Sequence, residues 1–128
     1  MNPLIDLREE LVLIKRFIVM PLAIQVLDRD MRVMERSPLK MPRVYIQWMQ
    51  HLQDQLMTDM IRLRRQLRER GLRIYEQRQT DTGIQAKYVC RGYHHEFSMI
   101  WGLVRAEVET TLRSYVQSNT SFMDLSKS

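Results

Sequence analysis

The chain holds one cysteine, Cys90, and therefore no internal disulfide framework. A reducing compartment is the simpler setting for such a chain. Glycine and proline number four each, and no Gly-rich phosphate loop, nucleophile elbow or paired-carboxylate motif is present. No secretory start is visible, because MNPLIDLREE carries acids early and lacks a basic n-region. Nor is there a long clean apolar run. The longest, Leu11 to Leu27, is interrupted by Lys15 and Arg16 and contains Pro21, which is too broken for a spanning helix. These absences argue against a secreted, disulfide-stapled or membrane-spanning protein and against an enzyme, and they favour the cytoplasm. No cofactor, metal or small-molecule substrate is inferred.

What is present is helical periodicity. Pro42 to Gly71 reads as one helix, with Pro suited to the first turn and Gly to the stop. Tyr45, Met49, Leu52, Leu56, Met60, Leu63 and Leu67 step by three or four and form one stripe, which Trp48 and Met57 widen. At about 1.5 Å per residue the rod is roughly 42 Å long. It needs a partner of similar length, inside the chain or on a second subunit.

Upstream, a helix over 7–20 is started by Asn2-Pro3 or by an Asp6–Glu9 capping box. It is apolar nearly all round, which predicts enclosure in a bundle or an interface. Pro21 kinks it or starts a second helix over 22–36. Ser37-Pro38 and Pro42 break the pattern again.

Downstream, Leu72–Gln79 and Ile84–Cys90 flank Thr80-Asp81-Thr82-Gly83 and read as a β-hairpin at about 72–91, pairing Tyr75 with Tyr88 and Glu76 with Lys87. A last helix over 93–117 carries Phe97, Ile100, Trp101, Val104, Val108, Leu112 and Tyr115, with Gly102 suited to close helix approach. Trp48 and Trp101 read as core anchors; exposed together, they would mark a partner surface. Ser118–Ser128 reads as a polar flexible tail in which Phe122, Met123 and Leu125 dock weakly. The fold class is mainly α: a single helical domain over 1–117, a bundle whose two long antiparallel helices are joined by a β-hairpin.

MPLAIQVLDRDMRVMERSPLKMP and the later GYHHEF carry a resemblance. Through Pro21-Leu22, Leu27-Asp28-Arg29-Asp30, Ser37-Pro38 and Gly92-Tyr93, the chain resembles the small uncharacterised YhjD-like proteins of spore-forming bacilli. The resemblance covers most of the chain and implies a cytosolic bacterial setting. It implies no mechanism.

Net charge is +5, and Arg62–Arg73, with six Arg and one Glu, accounts for all of it; the other 14 basic and 14 acidic residues cancel. Arg62, Arg64, Arg65, Arg68, Arg70 and Arg73 are the candidate contacts for an anion or partner. Nucleic-acid phosphates, anionic lipid and an acidic protein would each suit them. So would plain solvation beside the negative end of the helix dipole. A winged-helix reading fits the element order. It conflicts with a long third helix whose Arg lie at the C-terminal end, since such readers use N-terminal residues.

Adjacent His94 and His95 diverge by about 100° on a helix and cannot share one metal. His51 and Asp54 lack a further ligand pair. Cys90, beside Lys87 and Arg91, reads as a buried structural thiol. Two functions follow as expectations. One is a non-catalytic protein-interaction or structural protein, a homodimer through 7–20 or 22–36. The other is a nucleic-acid-binding regulator using the arginine cluster. Membrane-surface association through Leu11–Leu27 is the weakest reading.

Overall fold

A computed structural model describes residues 3–125, with side chains from Leu7 to Asn119. It is mainly helical, with three helices and one three-stranded antiparallel sheet. The order is α1 (Pro3–Glu35), α2 (Pro42–Glu69), β1 (Leu72–Gln79), β2 (Gly83–Cys90), β3 (Tyr93–Ile100) and α3 (Trp101–Leu125).

Helix α2 has the expected limits. Pro42 stands in its first turn, and Gly71 follows it at φ +69°, the left-handed stop that glycine adopts at least cost. Met49, Leu52, Leu56, Met60, Leu63 and Leu67 are buried, as the stripe requires. Tyr45, Trp48 and Met57 are exposed instead, Trp48 at 46%. Tyr45 and Trp48 belong to the N-terminal turns of α2, and Trp48 and Met57 lie on the two flanks of the stripe.

Helix α1 does not break at Pro21. A proline inside a helix removes one backbone bond and costs about 3 kcal/mol. Ile18, Val19, Met20 and Ala23, on both sides of it, are each at most 2% exposed. Their burial, worth roughly 1.5–3 kcal/mol for each large side chain, outweighs the lost bond. The helix starts at Pro3, so Asp6 lies inside it, and the side chain of Asp6 is outside the described residues.

The core sits around α1, which packs on both other helices. Helices α1 and α2 run antiparallel: Arg70 meets Glu9, and the Gln53 amide donates to the Ile24 carbonyl at 3.1 Å. Helix α3 lies against α1, where Lys15 and Glu107 pair at 3.2 Å. Its far end reaches α2 through Tyr115 to Asp59 and Asn119 to Gln55. The principal partner of each long helix is thus α1. Among the described residues, side-chain bonds near the end of α3 join it to α2 in antiparallel order.

The connection between them is a three-stranded meander, β1-β2-β3, where a single hairpin was expected. Residues 93–100 form a strand and not the first turns of a helix. Arg91 at φ +51° and Gly92 at φ +88° make a two-residue turn of the primed kind, which sends the chain back alongside β2. His95, Phe97 and Met99 then alternate toward the helices, beside Tyr88, Ala86 and Ile84.

Glu76 faces Lys87 as expected, with an ion pair of 3.3 Å. Tyr88 pairs with Ile74 instead of Tyr75, because the register shifts between Ile74 and Glu76 and leaves Tyr75 as the extra residue of a bulge. Helix α3 continues past Gln117 to Leu125, so the expected end of the helix at 117 is corrected. The side chains of Phe122, Met123 and Leu125, and residues 126–128 altogether, lie outside the described set.

Candidate functional site

The rotation of α2 is fixed by the burial of Leu63 and Leu67. At about 100° per residue, Arg65 then points straight outward, Arg62 falls on one flank, and Arg64 and Arg68 fall on the other. The six arginines therefore do not converge. Arg62 lies 3.7 Å from Asp59, and Arg70 pairs with Glu9 at 2.6 Å. Both are exposed pairs of the kind that contribute about 0–1 kcal/mol. Arg73 has moved onto the sheet, opposite Val89.

Arg62 and Arg65 are joined by a cation that the sequence reading missed. Arg16 of α1 lines the same shallow depression, together with Asp59, Gln66 and Glu69. Only the antiparallel pairing of α1 with α2 brings it there.

A second surface is larger and apolar. A groove of about 630 Å³ runs between α1 and α3 over Leu22, Val26, Val104, Val108 and Leu112. Gln25, Arg29, Arg105 and Glu109 stand on its rim, and Trp101 closes one end. The Trp101 indole donates to the Thr80 carbonyl at 2.9 Å, and its backbone N–H donates to the Thr82 carbonyl at 3.1 Å. The first bond ties the ring to the β1–β2 turn, and the second ties the start of α3 to it. Trp101 is 37% exposed and is not the core anchor expected. Trp48 does not share this groove, so the two tryptophans make no joint surface. A Cβ on Gly102 would meet nothing within 4 Å, so no close helix approach depends on it.

A polar recess between α2 and α3 holds His51, Asp54, Asp59, Arg62 and Tyr115. Burial first, then the hydrogen bond to Asp59, raises the Tyr115 hydroxyl well above its ordinary value. Among the described residues no group of three or more His, Cys, Asp or Glu could hold a metal ion. His94 and His95 stand on β3 and point to opposite faces: His95 stacks on buried Tyr88 at 5.2 Å, and His94 meets Tyr75. Cys90 is buried, and its thiol donates to Glu10 at 3.1 Å. No described helix is long and apolar enough to cross a membrane. In the stretch from Leu11 to Leu27, Leu13, Ile14, Ile18, Val19, Met20, Ala23 and Leu27 are all core residues.

The architecture is thus a long central helix flanked by two others, with a β-meander inserted between α2 and α3. The family follows from residues 6–120, which match the model of the YhjD protein family, and the chain belongs to that family. It is 28% identical over 112 residues to the uncharacterised protein YhjD of Bacillus subtilis (strain 168), covering 87% of this chain and 93% of that protein. No solved structure matches significantly.

Proposed function

We propose that this chain is a non-catalytic interaction protein of the bacterial cytoplasm that pairs with a second copy of itself along the groove between α1 and α3. The observation that carries this reading is the unfilled apolar floor of Leu22, Val26, Val104, Val108 and Leu112, with Trp101 at one end tied to the Thr80 carbonyl. Exposed apolar grooves of this kind mark partner sites.

A second copy suits the groove for two reasons. Val26 and Val33, both exposed on α1, stand seven residues apart, the spacing at which valines line a helix-pairing seam. The rim carries both signs, Arg29 and Arg105 beside Glu109, which Arg113 pairs at 3.1 Å, and a patch of mixed sign is compatible with a self-complementary two-fold contact.

Light scattering across a dilution series tests this. A dimer that dissociates on dilution, and that Val26→Asp converts to a folded monomer, is the expected result. A monomer at every concentration overturns it.

A further inference from the structure

We infer that the outer face of the sheet, at the end nearest Gly71, binds single-stranded nucleic acid. This is independent of the groove between α1 and α3. It takes up the phosphate-binding reading of the arginine run and assigns it a face and a ligand.

Alternation along β1 sends Leu72 and Ile74 inward and Arg73 outward. The bulge then turns both Tyr75 and Glu76 to solvent, which regular pleating forbids for neighbours. Tyr75 thereby reaches across β2 to His94 on β3. The rings meet edge to face at 5.5 Å and 80°, and the Tyr75 hydroxyl lies 3.1 Å from His94 Nδ1. Tyr93, one residue earlier, is 74% exposed. By alternation Tyr93 projects to the opposite face, with Cys90 and His95, so two ring-bearing side chains, Tyr75 and His94, stand in the open at this corner of the outer face.

The row that carries His94 bears a cation and no acid. Arg73 lies in the row Arg73–Val89–His94. The Arg91 N–H donates to the Gly71 carbonyl at 3.2 Å, which ties the β2–β3 turn to the end of α2, and the Gly71 N–H donates to the Arg68 carbonyl. Arg73 thus flanks His94 in its row, and Arg91 stands in the turn that begins β3. The acids of this face, Glu76 and Glu96, stand one row away, opposite Lys87, which Glu76 pairs.

Cations beside exposed rings are the chemistry of a single strand: phosphates lie along the arginines, and unpaired bases stack on the aromatic faces. An acidic protein would use the arginines and leave the rings unexplained. A duplex hides its base faces from them.

The test is fluorescence anisotropy with labelled oligouridylate and oligothymidylate of about ten nucleotides, a duplex of equal length and an oligoglutamate peptide, between about 50 and 200 mM salt. Expected is binding of the single strands, tighter than the duplex and the peptide and falling steeply with salt. Preference between the two single strands tells whether RNA or DNA is the ligand. A Tyr75→Ser, His94→Ser variant, shown to be folded by its circular dichroism, should weaken binding about fivefold or more. Arg73→Gln should weaken it and lower the salt slope, while Arg43→Gln, exposed at the opposite end of α2, should leave it unchanged. No single-strand binding at low salt, equal binding of duplex or peptide, or full affinity without the two rings would each overturn the inference.

Discussion

The Tyr115 hydroxyl of α3 donates to the Asp59 carboxylate of α2, joining two helices that otherwise pack chiefly on α1. Tyr115→Phe removes the donor and leaves a carboxylate that is 33% exposed and can rehydrate. A loss of about 1 kcal/mol is expected by urea denaturation.

The same hydroxyl makes the fold sensitive to alkali. Burial, and then Asp59, raises the Tyr115 hydroxyl above its ordinary value; burial, and then Glu10, raises that of Tyr88. Above a pH of about 10 the unfolded chain sheds these protons while the folded chain keeps them, so stability falls as pH rises. The contribution is complete below that point and is lost on the way to the raised folded values. Thermal midpoints should decline from about pH 10 upward. Tyr115→Phe should show a shallower decline, with the Tyr88 share remaining. A flat profile in the wild-type chain would contradict the burial of both hydroxyls.

Two glycines make a matched pair. A Cβ at Gly83 would stand 1.9 Å from the Met99 carbonyl oxygen and 2.8 Å from the Ile100 Cα, backbone atoms that cannot swing aside. Gly83→Ala is expected to cost about 3 kcal/mol, by strain in the β2–β3 pairing. Gly102 has open space in the first turn of α3. Gly102→Ala should raise stability by up to about 1 kcal/mol. Both shifts are read from urea midpoints at an unchanged slope.

Helix α2 was legible because its punctuation and its period agree: Pro42, Gly71 and a stripe at 3.6 residues point to one answer. Strand β3 was not, because YHHEFSMI contains a single β-branched residue. Phe97, Ile100, Trp101 and Val104 also fit helical spacing. The deciding feature is the left-handed Arg91, a residue type that does not announce such a turn. The bulge at Tyr75 is likewise a property of pairing and not of composition. On the surface, the arginine run was visible as a charge count. Its division over three sides of α2, the arrival of Arg16, and the rings that border Arg73 depend on tertiary placement. The tryptophans were misread because a stripe position near a helix end need not have anything above it.

Pro21 offers a gain. It sits inside a continuous α1 with one intrahelical bond missing. Pro21→Ala restores that bond, a helix-interior difference of about 3 kcal/mol, and gives back about 0.4–1 kcal/mol through the freer unfolded chain. A net stabilisation of about 2 kcal/mol is expected by thermal and urea unfolding. A loss would mean that the backbone around Pro21 is shaped to the ring and cannot relax to a regular helix.

Cys90, the one thiol, tests how firmly the sheet closes on the start of α1. It is 5% exposed and donates to Glu10 across that contact. A disulfide reagent reaches it only when the sheet and α1 separate locally. Its reaction in buffer should be about a hundredfold or more slower than in denaturant, the ratio reporting the opening equilibrium. Cys90→Ser keeps a donor for the Glu10 carboxylate, whereas Cys90→Ala leaves that carboxylate one bond short in a partly buried place. The alanine variant should therefore be less stable than the serine variant by about 1 kcal/mol. Glu10→Gln should narrow that gap, because a neutral amide needs the donor less. Equal stability of the two variants would show that the thiol rests against Glu10 without holding it.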